Sequence, residues 1–473
     1  KGWIFLIQPL DEADVHIETT PSYDSLPPQC VHRRQATSPS EYIGCPCNRR
    51  GGAVRFVPST QNSMLSAIPR YAIYTLLIFA PLARAAVQPW AITVIQMITL
   101  IALASFLITK TWQGNFRWIR TPLDKPIILL LALCFLSFIF SVHKPTSVQA
   151  LLLLLHYLVI FYLTIHTFRT RRDILHLIYV IIGIAFFLSL FGLFKYFGAN
   201  PFPWWEYTDI PQKTYRLSST YGNADHLAGF MEMVLPLLLG LLLLGYTRSQ
   251  TTLFLYITCM VMAALILSLS RGAWIGIALG LVFMASCLFF DRHFHRKRLL
   301  IGITGTTVLA VLIILSTTPV VVRIIDTAEK DTESNLYSRI LGWQGTMDMI
   351  REYPLTGTGP GTYAYAVTKF QPPGLAAHRT MAHNDYLHFT GETGLAFIAI
   401  FFIGAIALFS KGLKKIRNQS RLVRGTTLGA LAALTAIFFH SLFDFNLHIP
   451  ANIILFTVLV AMLAAPNPNS RQY

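Results

Sequence analysis

Long apolar stretches recur along this 473-residue chain, and each has about the length that crosses the hydrocarbon core of a membrane. About 20 helical residues are needed to span roughly 30 Å of hydrocarbon. Only 13% of the residues are charged and 54% are hydrophobic, whereas soluble domains carry about 25% charged residues. The chain is therefore predicted to be an all-α integral membrane protein. Twelve transmembrane helices are predicted near 68–84, 90–109, 126–142, 148–168, 174–197, 226–245, 252–269, 273–290, 299–318, 394–410, 425–440 and 449–464.

Basic residues concentrate in every second connection between these stretches. The segment 291–298 carries four of them and 411–424 carries six. Because cytoplasmic connections hold such an excess, the net charge of +16 is interpreted as a determinant of topology and not as a surface for nucleic acid. Both termini are predicted to face the cytoplasm. The long connections 198–225 and 319–393 are predicted to lie on the outer side.

The character of the chain changes at Met64. Residues 1–63 are polar and rich in Pro, Ser and Arg, and they show neither helical nor strand periodicity. We expect them to be disordered, or to be an upstream extension that is not part of the working protein. Residues 64–465 are predicted to form one polytopic membrane domain, and 466–473 a cytoplasmic tail. Within the large outer loop, apolar residues at 3–4 residue spacing in 337–354 predict an amphipathic helix at the membrane surface.

The densest polar group precedes the tenth predicted helix, in AHNDYLHFTGETG (382–394). His383 is a candidate general base, because a neutral imidazole accepts a proton near neutral pH; a simple interface role for either histidine stays open. Asn384 or its neighbour is a candidate N-cap. His388 and Glu392 share one helix face and are conceivable metal ligands. No third His or Cys follows at a fixed spacing, so no metal and no other cofactor is predicted.

Two arginines lie on the predicted outer side, where the charge bias of membrane proteins disfavours them. Arg271 sits in SLSRGAWIG, between two apolar runs, and Arg216 precedes the sixth predicted helix. Each is either an anchor at the headgroups or a ligand for phosphate oxygens, which guanidinium groups bind bidentately. The glycine-rich GTGPG (357–361) lacks the Lys-Ser/Thr of a phosphate-binding loop and is predicted to be a structural turn.

Four stretches together resemble the O-antigen ligase superfamily in their order and spacing. They are TYGNADHLAGF, SRGAWIG, SRILGWQGTMDMIREYPLTGTGPGTY and AHNDYLHFTGETG. The resemblance implies a membrane-embedded, GT-C-like, inverting and metal-independent glycosyltransferase. Such an enzyme moves a glycan from a polyprenyl diphosphate carrier to an acceptor at the periplasmic face of the bacterial inner membrane. In ligases the acceptor is the lipid A–core of lipopolysaccharide.

The resemblance also implies roles for individual residues. His383 matches the base that deprotonates the acceptor hydroxyl, and Arg216 and Arg271 match the pair that holds the diphosphate. Arg339 matches a recurring family arginine whose role stays open. After YGN the family usually continues Pro-Asn, whereas this chain has Ala224-Asp225 and so places a carboxylate near the proposed diphosphate site.

Other functions stay open beside the ligase. A polysaccharide polymerase with a growing-polysaccharide acceptor uses the same carrier, and a protein O-oligosaccharyltransferase is a further variant. A solute transporter belongs to a different class and has a similar number of helices. Transporters carry ionisable groups near mid-membrane, whereas here such groups gather at one face, with His156 and Glu232 as the exceptions. Glu232 is therefore a candidate supporting residue that could face the active site.

Overall fold

The structure is a computed structural model that describes residues 61–114, 116–202, 216–244, 246–290, 301–311, 313, 336–373, 380–417 and 420–468, all within one compact unit. The described residues form α-helices and no strands, so the predicted all-α class is confirmed. The helices are α1 (Gln61–Leu82), α2 (Pro89–Gln113), α3 (Asp124–Ile139), α4 (Lys144–Thr167), α5 (Arg171–Tyr196), α6 (Ala224–Leu242), α7 (Arg248–Leu267), α8 (Arg271–Phe290), α9 (Ile301–Val311), α10 (Leu336–Glu352), α11 (Tyr363–Ala366), α12 (Asp385–Thr393), α13 (Ala396–Ile416), α14 (Arg421–His440) and α15 (Pro450–Ala464).

Each of the twelve predicted transmembrane segments coincides with a described helix. Nine of the described helices are long and apolar enough to cross a membrane, namely α1, α2, α4 to α8, α13 and α14. The other three segments coincide with the shorter helices α3, α9 and α15. The protein is thus a multi-pass membrane protein. Helix α1 begins at Gln61, three residues before the predicted boundary at Met64, whereas residues 1–60 lie outside the described residues.

Helices α6, α8 and α14 form the centre of the bundle. In the 18-residue apolar stretch of each helix, 94% of the residues are buried in α6 and 78% in α14, against 11% in the peripheral α13. Glycines bring these helices together: a Cβ on Gly240 would lie 2.3 Å from the carbonyl oxygen of Gly425, and one on Gly280 would lie 2.6 Å from that of Ala432. Small residues allow such close approach of membrane helices, so van der Waals contact stabilises the bundle.

The described part of the large connection before α13 is partly helical, as predicted. Helix α10 covers the predicted amphipathic segment and packs against α12. The predicted apolar face of α10 is divided: Ile350 is buried, whereas Ile340 and Met347 are exposed. Thr346 and Met349 complete the buried side of α10, where the helix packs against α12 and the segment after α11.

Candidate active site

His383 lies in the turn directly before α12, with an unusual backbone conformation. Its φ is +49°, in the left-handed region of backbone conformation that residues other than glycine rarely adopt. The following residue, Asn384, is the N-cap of α12, and its Oδ1 accepts a hydrogen bond from the Leu387 N–H at 3.0 Å. The predicted capping role of Asn384 is confirmed. Strain of this kind persists where the surrounding structure fixes it, and it often marks functional positions.

Asp444 orients the His383 ring. Its Oδ1 lies 3.4 Å from His383 Nδ1, and the aspartate is buried while the histidine side chain is 28% exposed. Burial raises the pKa of Asp444, but the hydrogen bond from His383 and the neighbouring imidazoles of His226 and His440 hold that pKa well below its usual range. An ionised Asp444 accepts from Nδ1–H, so the lone pair of Nε2 is left for a substrate proton. This is the arrangement that a general base requires.

Asp385 fastens the His383 turn to the segment that carries Asp444. Its backbone N–H donates to the Ser441 carbonyl at 2.9 Å, and its Oδ2 accepts from the Ser441 hydroxyl at 2.8 Å and from the Leu447 N–H at 3.1 Å. Its Oδ1 lies 2.7 Å from His448 Nδ1. Because Asp385 is buried and fully used in these contacts, its role is to position the two segments.

Helix α10 supports both segments of the site. Arg339 Nη1 donates to the carbonyl of Phe443 at 2.6 Å, beside Asp444. Trp343 Nε1 donates to the carbonyl of Ala382 at 3.0 Å, beside His383. The family arginine whose role the sequence left open therefore holds the backbone next to the orienting carboxylate. Arg339 and Trp343 lie four residues apart on one helix, so the two contacts fix the spacing between base and carboxylate.

His388 and Glu392 attach the glycine-rich turn to α12. His388 Nε2 lies 3.2 Å from Glu392 Oε1, which also accepts from the Tyr363 N–H at 3.1 Å. The ring of Tyr363 stacks on His388 at 4.3 Å. Within the turn, the N–H groups of Thr358 and Gly359 donate to the carbonyls of Gly391 and Glu392. The predicted structural turn is confirmed, and the two supporting residues act in its packing.

One group of side chains has the composition of a metal site. Ligand atoms of His388, Glu392 and His448 all lie within 4.8 Å of one another. His448 comes from the connection between α14 and α15. It lies too far along the chain from His388 and Glu392 for their spacing in the sequence to predict this third residue. The Ala382 N–H approaches His388 Nδ1 at 3.4 Å, which leaves the ring proton on Nε2 to be donated to Glu392. Both nitrogens of His388 are therefore engaged, and the arrangement fits a hydrogen-bonded pair better than an open ligand set.

The His388 pair predicts how stability depends on pH. Burial and the neighbouring His448 lower the pKa of His388. Between this lowered pKa and the ordinary value of about 6.5, the unfolded chain binds a proton that the folded chain does not, so stability falls as pH falls. We expect the melting temperature in detergent to decrease from pH 7.5 to 5.5, because this group lowers the free energy of unfolding by at most about 1.4 kcal/mol per pH unit. His388→Gln should flatten that slope; an unchanged slope would contradict the assignment.

Arg216 is held at the junction between α7 and α8. Its Nε donates to the Ser268 carbonyl at 2.8 Å, and its Nη2 pairs with Asp225 Oδ1 at 2.6 Å. Asp225 is the residue that departs from the usual family motif, and here it is the partner of this arginine. The ion pair is partly exposed, so the remaining donors of Arg216 stay within reach of a ligand.

Arg271 opens α8 and is exposed, with no hydrogen bond or ion pair to any residue that the structure describes. The backbone next to Arg271 lies close to the base: a Cβ on the adjacent Gly272 would lie 2.5 Å from the ring of His440, whose Nε2 is 4.0 Å from Asp444 Oδ2. The free N–H groups of the first helical turn add positive potential at this point. The structure thus gathers His383, Arg216 and Arg271 at one end of the central helices.

The segment HSLFDFNLH, residues 440–448, supplies Asp444, His440 and His448 and was not among the predicted site residues. A signal was present. Three ionisable residues follow one another at intervals of four between two apolar runs, where charges are costly and usually functional.

Comparison with known proteins agrees with the motif resemblance. Residues 254–402 match the family model described as O-antigen ligase, a stretch that begins in α7 and includes Arg271, Arg339 and the His383 turn. Over these residues the predicted resemblance to this family is confirmed. A domain of this family supports glycan transfer of the O-antigen ligase or polymerase type, with a polyprenyl-linked glycan and a lipid-linked acceptor in general. No curated protein matches the chain.

Proposed function

We propose, from the match of residues 254–402 to the O-antigen ligase family, that this protein is an inverting, metal-independent glycosyltransferase of the O-antigen ligase superfamily. It transfers a glycan from a polyprenyl diphosphate to the lipid A–core of lipopolysaccharide. The basic connections between alternate helices support cytoplasmic termini and a site on the periplasmic face of the inner membrane. A growing polysaccharide is the acceptor in the alternative polymerase.

The observation that carries this proposal is the His383–Asp444 pair. Asp444 engages Nδ1 of the ring, and Nε2 has no partner among the described residues. In the proposed reaction, Nε2 takes the proton of the acceptor hydroxyl while its oxygen bonds to the anomeric carbon of the donor. The bond between that carbon and the diphosphate oxygen breaks at the same time. Attack from the opposite side inverts the configuration of the carbon.

Arg216 and Arg271 act on the leaving group in this proposal. Departure of the diphosphate adds negative charge to an oxygen, and fixed positive groups stabilise that charge in the transition state. Arg271 is the stronger candidate for direct contact, because Arg216 already pairs with Asp225. A diphosphate needs no proton to leave, so the reaction requires one base, positive charge and correct positioning.

The test is a transfer assay with a panel of acceptors. Membranes that contain the protein receive polyprenyl diphosphate-linked glycan together with lipid A–core, with more of the donor itself, or with a periplasmic protein extract. Glycan on lipid A–core supports the ligase. Lengthened lipid-linked chains would mean that the protein is a polymerase, and glycosylated protein would mean a protein glycosyltransferase. An intact donor with every acceptor would contradict the proposal and favour the transporter.

Removal of metal should leave the transfer unchanged. The charge of the diphosphate is met by arginines, and both nitrogens of His388 in the candidate metal group are engaged. We therefore expect the same initial rate before and after dialysis against EDTA. A loss that Zn²⁺, Mg²⁺ or Mn²⁺ restores would contradict metal independence, and His448→Gln would then show whether this group holds the ion.

A further inference from the structure

A buried carboxylate–imidazole pair lies on the protein side of the proposed base and takes no direct part in the proposed reaction. Glu232 of α6 and His440 at the end of α14 are 0% and 1% exposed, and His440 Nδ1 lies 2.9 Å from Glu232 Oε1. Ionisable side chains within membrane helices are costly, and those that are retained usually serve a function. This pair joins α6 and α14, the two most buried of the nine long apolar helices that the structure describes.

The space around the pair is shaped by glycines of α8. A Cβ on Gly272 would lie 2.5 Å from His440 Cδ2, and a Cβ on Gly276 would lie 2.9 Å from Glu232 Oε2. Side chains at either position would displace the pair. Glu232 Oε2 is itself buried and makes no hydrogen bond to any residue in the described part of the chain. The fold therefore accommodates an incompletely satisfied carboxylate, which packing alone does not require.

The side-chain amide of Asn446 also approaches the imidazole of His440. Asn446 Nδ2 lies 3.2 Å from His440 Nδ1 and 3.4 Å from Nε2. Asn446 Oδ1 accepts from Asn452 at 2.9 Å, and Asn452 Oδ1 accepts from the Tyr221 hydroxyl at 3.2 Å. These contacts fix the connection between α14 and α15, in which Asp444 lies.

The pair continues into the site. His440 Nε2 is 4.0 Å from Asp444 Oδ2, and the other oxygen of the same carboxylate faces His383 Nδ1 at 3.4 Å. Carboxylate and imidazole thus alternate along one row: Glu232, His440, Asp444 and His383. The row begins inside the membrane domain and ends at the partly exposed ring of the proposed base.

We propose that Glu232 and His440 are positioning residues for His383, and this inference rests on the proposed function. They hold Asp444 at Oδ2, the oxygen that faces away from the base. Asp444 Oδ1 then accepts the hydrogen bond from His383 Nδ1–H, and His383 Nε2 points to the acceptor. When His383 takes the acceptor proton and becomes imidazolium, the alternating row stabilises the new positive charge. Such preorganised groups act in the transition state and not on substrate binding.

Glu232→Gln tests the inference, because glutamine has the same shape and can still hydrogen-bond to His440. A purely structural role would survive this change. We expect kcat for glycan transfer to fall about 10-fold or more, as small losses of alignment reduce rates strongly, with KM for donor and acceptor unchanged. Asp173→Asn is the matched control: it also converts a buried carboxylate to an amide, in the first turn of α5, and should leave kcat unchanged.

A double-mutant cycle separates positioning from general damage. If Glu232 acts through Asp444, the Glu232→Gln/Asp444→Asn double variant should be no slower than Asp444→Asn alone. Multiplied losses, a raised KM or full kcat in Glu232→Gln would overturn the inference. The amount and the melting temperature of each variant in membranes are measured as well. Equal values exclude misfolding as the cause of a lower rate. Failure of the proposed function itself gives a different result from failure of this inference, because the wild type would then transfer no glycan at all.

Discussion

His383→Ala should lower glycan transfer by on the order of 10³-fold, while the variant still inserts and folds. The side chain is partly exposed, and within the described ranges it makes one hydrogen bond, to Asp444, so its removal leaves the contacts of α10, α12 and Asp385 in place. The expected loss is in kcat, because the base acts on the proton as the new bond forms. Initial rates at saturating donor and acceptor measure it.

Two controls accompany this variant. His176→Ala removes an exposed histidine of α5 and should retain the wild-type rate. Added imidazole should partly restore His383→Ala, because a free base of similar size can occupy the vacated space. Activity near the wild-type level in His383→Ala would show that another group takes the proton, and the mechanism would then be wrong.

Arg271→Ala should lower transfer by about 100-fold without loss of stability. The arginine is exposed and has no hydrogen-bonding or ion-pair partner among the residues that the structure describes, so its removal breaks no such bond among them. Its positive charge is expected to act on the departing diphosphate, and kcat should therefore fall together with affinity for the donor. Arg271→Lys should recover only part of the loss, because lysine lacks the bidentate geometry of guanidinium.

Arg216 gives a contrasting result that separates charge from structure. Its guanidinium holds Asp225 and the Ser268 carbonyl, so Arg216→Ala should reduce the melting temperature as well as transfer. Arg351→Ala, which removes an exposed arginine of α10, is the control for a simple loss of positive charge. Full activity in Arg271→Ala would place the diphosphate elsewhere, whatever the outcome for Arg216.

The sequence predicted the helices because their signal is local. Twelve apolar runs of membrane-spanning length coincide with twelve described helices, and the turn at 357–361 follows from its glycines. The packing of α6 and α8 on α14 was not predictable in the same way. It depends on which glycines face one another across helices, and Gly240 and Gly425 are far apart in the chain.

The candidate site was predicted in part. His383, Arg271 and Arg339 belong to motifs and could be named from the sequence, whereas Asp444 lies 61 residues beyond the base and is brought to it only by the fold. The role of Asp225 also required the structure, because a carboxylate after YGN gives no indication that it pairs with Arg216. Ionisable residues spaced along a short connection between two apolar runs were the missed signal.

Whether His383 is the base of a glycan transferase is tested by measuring release of polyprenyl diphosphate by the purified protein in lipid vesicles. The donor is polyprenyl diphosphate-linked glycan, and lipid A–core is present or absent. We expect release that requires the acceptor, equals the glycan gained by lipid A–core and disappears in His383→Ala. Release that is independent of the acceptor, or that persists in His383→Ala, would contradict a transferase with this histidine as its base.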